Sequence, residues 1–296
     1  MKQIHGVRLV DRTGEEILPD FEEDFPYIAS LVDMRRYFGS ETPWHWHGAA
    51  ELVYVHSGGI EYQTPGGTHR IMAGGGGFVN CNVLHGSRKL AEDTVLFIHL
   101  FDPTMLSGAQ RTVERYIRPL IQARGLEMLT FDRREDETFL KELEASFHLD
   151  ESEFGYEFSL QSRLTALWTG ILKRAGSLPE TQKGQSDEKV KDMMAYVEAH
   201  YSENLTIDAL SQAAHVSRRV CFRLFQENLH MTPVAYIRSV RLEKAEQMLR
   251  FSKESITQIG YACGLGSSSY FGKLFHEQYG CTPGQYRKKW HDRDNL

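Results

Sequence analysis

Several features that mark membrane or secreted proteins are missing from this sequence. No window of about 18 consecutive apolar residues occurs, so a membrane-spanning helix is not expected. The start of the chain shows no charged segment followed by an apolar run, so we expect no secretion signal. The 4 cysteines include no Cys-x-x-Cys pair, which disfavours a disulfide framework. These absences predict a reduced, cytoplasmic protein with no membrane partner.

Positive charge is scarce in the first two thirds of the chain. Residues 1–185 carry 19 Lys and Arg against 27 Asp and Glu, whereas residues 186–296 carry 15 against 13. Because an acidic surface repels phosphates, nucleic acid is expected to bind only the C-terminal part. A length of 296 residues with 41% hydrophobic residues favours two domains, each with its own core.

Short β segments punctuated by glycine occupy the chain from residue 44 to about residue 100. We predict strands at 51–56, 60–64, 69–72, 77–79 and 94–100. The turns between them are rich in glycine, which readily adopts the positive φ angles of tight turns. The run of four glycines is not a phosphate-binding loop, because the Gly-Lys-Ser/Thr of such a loop does not follow it. Closely spaced strands of this kind predict a small antiparallel barrel, preceded by an arm in residues 1–38.

A helical pattern follows, from residue 102 to about residue 175. Apolar residues at three- and four-residue steps predict a helix near 156–174 with a broad apolar stripe. This stripe packs against the barrel or forms part of a dimer interface, and the two roles are compatible. It consists of Phe154, Phe158, Leu160, Leu164, Leu167, Trp168, Ile171 and Leu172. The polar segment 176–186 that follows is interpreted as a linker.

Three histidines and a glutamate in the barrel region have the chemistry of metal ligands. His45 and His47 are two residues apart on a predicted strand, so their side chains face the same way. Glu51 would lie roughly 13 Å beyond His47 on a straight strand, so the chain must bend at residues 48–50 to bring it back. This spacing resembles the first motif of the cupin barrels, and His85 stands where the second motif has its histidine. In metal-binding cupins, three His and one Glu form the site.

Two interpretations of this region remain open. The resemblance implies a divalent metal at His45, His47, Glu51 and His85, although no cofactor is required for a sensor of this kind. The second motif lacks the usual Pro-x-Gly, with Asn80 near the proline position, which favours a polar pocket without metal. Aromatic side chains that could stack on a sugar complete the predicted ligand site. They are Tyr37, Trp44, Trp46 and Tyr54.

One sequence unit occurs twice in the C-terminal part. The pattern of residues 224–236 recurs fifty residues later in residues 274–286. Each copy predicts two short helices joined by a tight turn, which is a helix-turn-helix unit. The offset between the copies changes from 49 to 50 residues, which places one extra residue in the second turn. A helix of about 18 residues, 233–250, separates the copies, with Arg238, Arg241 and Lys244 predicted to point outward.

This segment of about 100 residues resembles the DNA-binding domain of the AraC/XylS family of bacterial transcription regulators. One departure is His230, which replaces the glycine that Gly280 supplies in the second copy. The resemblance implies that the first turns of the second helix in each copy contact DNA bases. The implied DNA contacts are Ser217, Arg218, Arg219, Phe222, Arg223, Arg238, Ser267, Ser268, Ser269, Gly272, Lys273 and Arg287.

Together these features predict an α+β protein with a cupin-like antiparallel β-barrel followed by an all-α domain with two helix-turn-helix units. The predicted sensor domain is 1–175, with the barrel in about 25–101 and accessory helices in about 102–175. The linker is 176–186 and the DNA-binding domain 187–296. The resemblance implies a regulator that senses a sugar or related metabolite. Its expected partners are double-stranded DNA, the small-molecule effector, a second copy of the chain and RNA polymerase.

The alternative function is a metal-dependent cupin enzyme, an oxygenase or isomerase, fused to a DNA-binding domain. Three His and one Glu would leave positions on a metal open to chemistry. We nevertheless expect a regulator that is not an enzyme and has no catalytic residues. A DNA-repair protein would need a cluster of reactive cysteines near the N-terminus, where only Cys81 occurs.

Overall fold

The structure is a computed structural model that describes residues 2–4, 14–16, 18, 21, 24–35, 41–123, 125–176 and 186–291. The chain divides into two compact units, largely residues 15–184 and residues 185–296. The predicted ligand residue Tyr37 and most of the predicted linker lie outside the described residues. No helix in the described part of the chain is long and apolar enough to cross a membrane.

The described strands of the first unit form two sheets. A six-stranded sheet has the order β1-β2-β9-β4-β7-β10, and a four-stranded sheet has the order β3-β8-β5-β6. Apart from the parallel pair β1 and β2, the strands pair antiparallel. The predicted antiparallel β fold is confirmed, although over the described residues it is two sheets and not a closed barrel. The strands are β1 Lys2–Ile4, β2 Tyr27–Asp33, β3 Glu41–His45, β4 Ala50–Ser57, β5 Gly59–Thr64, β6 Gly67–Met72, β7 Gly76–Val79, β8 His85–Lys89, β9 Val95–Phe101 and β10 Met128–Phe131.

The alternation of side chains along β4 separates two cores. Val53 and Val55 are buried between the two sheets, together with Ile60 of the smaller sheet. Leu52 and Tyr54 point the other way and pack in the core that contains the helices. Because successive side chains of a strand face opposite sides, the six-stranded sheet is buried on both faces.

Helices cover the outer face of the six-stranded sheet. Phe154 and Phe158 do not take part in this packing, since their relative exposures are 109% and 79%. The five apolar residues that α4 buries are Leu160, Leu164, Leu167, Trp168 and Ile171. The predicted stripe is therefore divided between a buried face and an exposed aromatic pair. The segments are a 3₁₀ turn Pro103–Leu106, α1 Gln110–Thr112, a π turn Val113–Ile117, α2 Arg118–Ile121, α3 Glu137–Ser146 and α4 Tyr156–Ala175.

The stretch predicted to be entirely helical contains a strand, and that prediction was wrong there. Strand β10 pairs antiparallel with β7, with Leu129 opposite Phe78. It is four residues long, and periodicity cannot distinguish so short an apolar run from a turn of helix. The sheet therefore extends beyond the predicted limit near residue 101.

The second unit is helical and shows the duplication directly. Helices α6 and α9 have 7 residues each, and α7 and α10 have 12 each. The turn spans residues 214–217 in the first copy and 263–267 in the second, so the extra residue lies in the second turn, as predicted. The helices are α5 Ser186–His200, α6 Ile207–Ala213, α7 Arg218–Leu229, α8 Pro233–Phe251, α9 Ile256–Ala262, α10 Ser268–Tyr279 and α11 Pro283–His291.

Helix α8 separates the two copies and is 19 residues long, or about 28 Å. Arg238 on this helix is exposed, as predicted. Arg241 is not directed outward, because its guanidinium donates to the carbonyl oxygens of Tyr201 and Glu203, each at 2.7 Å. Lys244 likewise lies 3.2 Å from Glu198 of α5. Lys244 thus ties α8 to α5, and Arg241 ties α8 to the segment after α5, so the two cations do not form an outward basic face.

Candidate functional site

Three buried histidines meet between the two sheets of the first unit. His45 ends β3 and is paired in register with His85, the first residue of β8. His47 follows two residues after His45. One ring nitrogen from each histidine lies within 4.8 Å of the others, which is close enough for all three to bind a single ion.

Backbone hydrogen bonds fix the orientation of these three rings. Nδ1 of His45 lies 2.8 Å from the Pro43 carbonyl oxygen, and Nδ1 of His85 lies 2.9 Å from that of Val83. His47 makes the same contact with the Ala49 carbonyl at 2.9 Å. A carbonyl oxygen can only accept, so each Nδ1 carries the proton. In the neutral ring, Nε2 is then left with a free lone pair.

Glu51 joins the histidines because the chain bends between His47 and β4. The bend falls at Gly48 and Ala49, as the sequence predicted. It brings Glu51 Oε2 to 3.4 Å from His47 Nε2 and 3.6 Å from His85 Nε2. The other carboxylate oxygen accepts a hydrogen bond of 2.6 Å from the Tyr62 hydroxyl. The structure thus brings together all four predicted metal ligands.

The electrostatics of the site differ between its groups. Burial opposes the charged form of His85, but the neighbouring Glu51 carboxylate outweighs burial and raises the pKa of His85. Burial, followed by the nearby His85 and His47, holds the pKa of His45 well below its ordinary value. Burial alone would raise the pKa of Glu51. The adjacent His47 and His85 more than offset this effect, and the pKa lies well below the usual range. A carboxylate oxygen and uncharged ring nitrogens can all donate lone pairs to a cation.

A cavity of about 60 Å³ adjoins the cluster. Its wall includes Glu16, a residue that the sequence analysis had placed in an arm of no assigned role. Burial, and then the negative charge of Glu51, raise the pKa of Glu16 to about 8. No periodic pattern surrounds Glu16 in the sequence. Its acidic side chain was therefore the only sequence signal for a place in this site. The wall residues are Glu16, Ser30, Val32, Met34, Thr42, His45, Glu51, Tyr62, His85, Ser87, Leu96, Ile98 and Leu100.

The aromatic residues predicted to bind a ligand lie away from this cavity wall as it is described. Tyr54 faces the helices and stacks on Phe97 with ring centroids 6.3 Å apart. Trp44 is buried and Trp46 half-buried, and neither belongs to the wall. Side-chain alternation along β4 explains why the Tyr54 side chain points away from the cavity. Glu51 faces the cavity, and residues 52 and 54 face the opposite side of the strand from residues 51 and 53.

Three other histidines of the first unit, His56, His69 and His99, lie outside the cluster. His99 points toward the helices, where its Nε2 lies 2.7 Å from Ser146 Oγ and its Nδ1 2.8 Å from the Tyr27 hydroxyl. Burial lowers the pKa of His99 to about 3, so this histidine is neutral. His56 is exposed and stacks on a phenylalanine, and His69 is half-buried.

The predicted base-contacting residues of the first copy form an exposed face on α7. Arg218 lies 3.3 Å from Asp208, and Arg223 lies 3.4 Å from Glu227 one turn further along. Arg219 projects between them, and Phe222 is 41% exposed. Ser217 caps the helix by accepting from the Val220 amide. This face offers guanidinium donors and one aromatic ring to the major groove.

The corresponding face of α10 is smaller and less charged. Ser267 caps the helix, and Ser268, Ser269 and Lys273 are exposed. Gly272 has open space where a side chain would stand. Tyr270, which is 54% exposed, also lies on this face and was not among the predicted contacts. The position of Tyr270 between the predicted contacts Ser269 and Gly272 was a sequence signal that it belongs to this face.

Arg287 differs from the other predicted DNA contacts in its surroundings. It is half-buried on α11, and its Nε and Nη2 atoms are buried without a hydrogen-bond partner in the part of the chain that the structure describes. Its phosphate contact remains a prediction.

Comparison with known families identifies the two units. Residues 31–168 match the AraC-like ligand binding domain, and residues 210–289 match a helix-turn-helix domain. The chain belongs to the AraC family of transcriptional regulators. Like other AraC-type proteins, it is a DNA-binding transcription regulator with an N-terminal ligand-binding domain and a C-terminal helix-turn-helix domain. The family prediction made from the duplicated unit is confirmed.

Individual AraC-type relatives match over different lengths. An uncharacterized HTH-type transcriptional regulator, YdeC of Bacillus subtilis, is 22% identical over 95% of this chain and 98% of its own. The transcriptional activator RhaS of Salmonella schwarzengrund is 33% identical over 40% of this chain and 42% of its own length. Among solved structures, ToxT from Vibrio cholerae aligns over 88% of this chain and 97% of its own, with 14% identity and a TM-score of 0.48.

Proposed function

We propose that the ligand-binding domain of this regulator holds a divalent transition-metal ion at His45, His47, His85 and Glu51. The observation that carries the proposal is the convergence of three imidazole Nε2 atoms whose Nδ1 partners are backbone carbonyls. Metal-binding histidines almost always have their second nitrogen fixed in this way. Imidazole nitrogens with one carboxylate suit zinc, nickel, iron or copper.

His85 supports this assignment because its Nε2 atom is otherwise unsatisfied. The atom is buried and has no hydrogen-bond partner, and the 3.6 Å separation from Glu51 is too long for a hydrogen bond. Leaving such a polar atom unpaired costs about 1–3 kcal/mol. A cation among the three rings would accept its lone pair and remove that cost.

We further propose that the site serves sensing and not turnover. A metal with open coordination positions could polarise a substrate oxygen, which is the basis of the alternative enzyme hypothesis. The adjoining cavity of about 60 Å³ is well below the roughly 300–1,000 Å³ of ordinary small-molecule sites. The AraC-type relatives are regulators, and the domain with this site precedes a DNA-binding domain.

DNA recognition is proposed to use the exposed faces of α7 and α10. Arginines on α7 would donate to guanine, and serines on α10 would bind bases or phosphates. Arg238 and Arg287 would contact phosphates, which position the protein without reading sequence. We propose that the protein acts in the cytoplasm and contacts RNA polymerase at the promoter.

A homodimer is proposed to form through the exposed face of α4. Phe154, two residues before α4, and Phe158 on α4 are followed at helical spacing by small exposed side chains: Ser162, Thr165 and Thr169. Glu157 and Lys173, at opposite ends of the helix, are also exposed. An antiparallel second copy would place the aromatic rings on the small residues and bring opposite charges together.

Competition with a chromophoric chelator tests the metal proposal. The chain, purified without chelator, is expected to bind Zn²⁺, and His85→Gln should weaken binding by about 100-fold or more, since loss of a supporting group alone costs 10–100-fold. His69→Gln changes a half-buried histidine outside the cluster and should leave the affinity unchanged. Equal Zn²⁺ affinity in all three proteins would refute the site.

A further inference from the structure

Residues 14–16, the N-terminal segment, reach the histidine cluster through Glu16. Its backbone N–H donates to the Trp46 carbonyl oxygen at 2.8 Å, and Glu15 forms a parallel bridge with the same tryptophan. Trp46 lies between His45 and His47 in the sequence. The segment is thus docked beside two of the proposed ligands by main-chain contacts, which place the Glu16 side chain inside the domain.

The Glu16 carboxylate points at the cluster. Its Oε2 atom lies 3.8 Å from Nε2 of His45, and only 11% of its side chain is exposed. It shares the cavity with the carboxylate of Glu51. Neither the histidine spacing nor the cupin resemblance assigns a second carboxylate to this place. Two carboxylates that share the cavity, beside the cluster of three imidazoles, are a donor set for a cation.

The described wall of the cavity suits a cation better than an anionic metabolite. It contains two carboxylates, the imidazoles of His45 and His85, the Tyr62 hydroxyl and the hydroxyls of two serines and a threonine, but no lysine or arginine. An organic acid or phosphate entering there would meet the Glu51 carboxylate and no lysine or arginine. A volume of about 60 Å³ accommodates roughly four water-sized spheres, which suits a hydrated ion better than a sugar.

Resting on the metal site proposed above, we infer that the effector of this regulator is the divalent ion itself and that Glu16 is the residue through which the N-terminal segment responds to it. The docked segment adds the Glu16 carboxylate to the donor atoms available at the cluster, and an undocked segment does not. Binding of a cation that uses this carboxylate would therefore favour the docked state. A ligand shifts such an equilibrium by its differential affinity for the two states.

Zn²⁺ titration of the full chain tests this inference. The proteins compared are wild type, Glu16→Gln and Glu15→Gln, each stripped of metal. Their Zn²⁺ affinity is measured first. Their affinity for a DNA duplex, which the wild-type chain has selected from random sequence, is then measured with and without Zn²⁺. Zn²⁺ should change the DNA affinity of wild type and Glu15→Gln by about 5- to 150-fold, the usual range of coupling between two sites. Glu16→Gln should bind Zn²⁺ about 10-fold more weakly and lose most of the DNA response.

The visible spectrum of the Co²⁺-loaded protein provides a readout that does not depend on DNA. Glu16→Gln should change the Co²⁺ spectrum, and Glu15→Gln should leave it as in wild type. If wild type binds Zn²⁺ without any change in DNA affinity, the ion is not the effector, although the metal site stands. If Glu16→Gln matches wild type in spectrum and response, Glu16 has no such role. If wild type binds no Zn²⁺, the metal site and this inference both fail.

Discussion

At the scale of single residues, the two proposed DNA-contact faces differ in what they can recognise. Arg219 is exposed on α7 between two arginines that each have a carboxylate within 3.4 Å. An ion pair on the protein surface competes with a contact to DNA. We therefore expect Arg219 to contribute more sequence discrimination than Arg218 or Arg223.

Replacement of Arg219 by Ala tests that expectation. Loss of a bidentate contact to guanine should weaken binding to a selected duplex by about 1–3 kcal/mol while changing non-specific binding much less. The exposed Arg238 on α8 is a suitable comparison, since Arg238→Ala should weaken binding to all duplexes alike and reduce the salt dependence. Fluorescence anisotropy with specific and scrambled duplexes measures both. An equal loss on the two duplexes would make Arg219 a phosphate contact.

At the scale of elements, the duplicated helices end in the same conformation with different residues. His230 after α7 has φ of 54°, and Gly280 after α10 has φ of 69°. A residue with a side chain pays a conformational cost of about 1–2 kcal/mol in this left-handed region, whereas glycine does not. The replacement of glycine by His230 is evident in the sequence, and the structure shows the left-handed cap there.

Substitutions at the two caps are expected to act in opposite directions. His230→Gly should stabilise the second unit by about 1 kcal/mol, and Gly280→Ala should destabilise it by about the same amount. Space for the added methyl group is available at Gly280, so the cost there is conformational. Urea unfolding of the full chain, followed by circular dichroism at 222 nm, measures the change. Stabilisation of both variants, or of neither, would contradict this account.

The elements show where sequence patterns suffice and where they do not. Helix caps and the repeat located the C-terminal helices because these depend on neighbouring residues. Strand β10 was missed because its pairing with β7 is set by a partner about fifty residues away. Glu16 and Tyr62 escaped prediction for the same reason, since their role depends on contacts across the fold. The bend before Glu51, by contrast, followed from strand geometry alone.

At the scale of the whole molecule, the exposed pair Phe154 and Phe158 predicts the oligomeric state. The double substitution Phe154→Ser and Phe158→Ser should convert a dimer to a monomer, because it removes the large apolar side chains of the proposed interface. Phe251 is 78% exposed in the second unit, and Phe251→Ser is the matched control that should remain dimeric. Sedimentation velocity measures the mass. A monomeric wild type would exclude this interface.

The unequal turns of the two helix-turn-helix units give the protein a polarity. With four residues in one turn and five in the other, and with arginines on α7 but serines on α10, the two copies are not interchangeable. Turning a binding site end for end would present each half to the wrong helix. If α7 and α10 both read DNA as proposed, one DNA-binding unit would distinguish upstream from downstream along a promoter, and an asymmetric site would suffice to fix the direction in which the regulator faces.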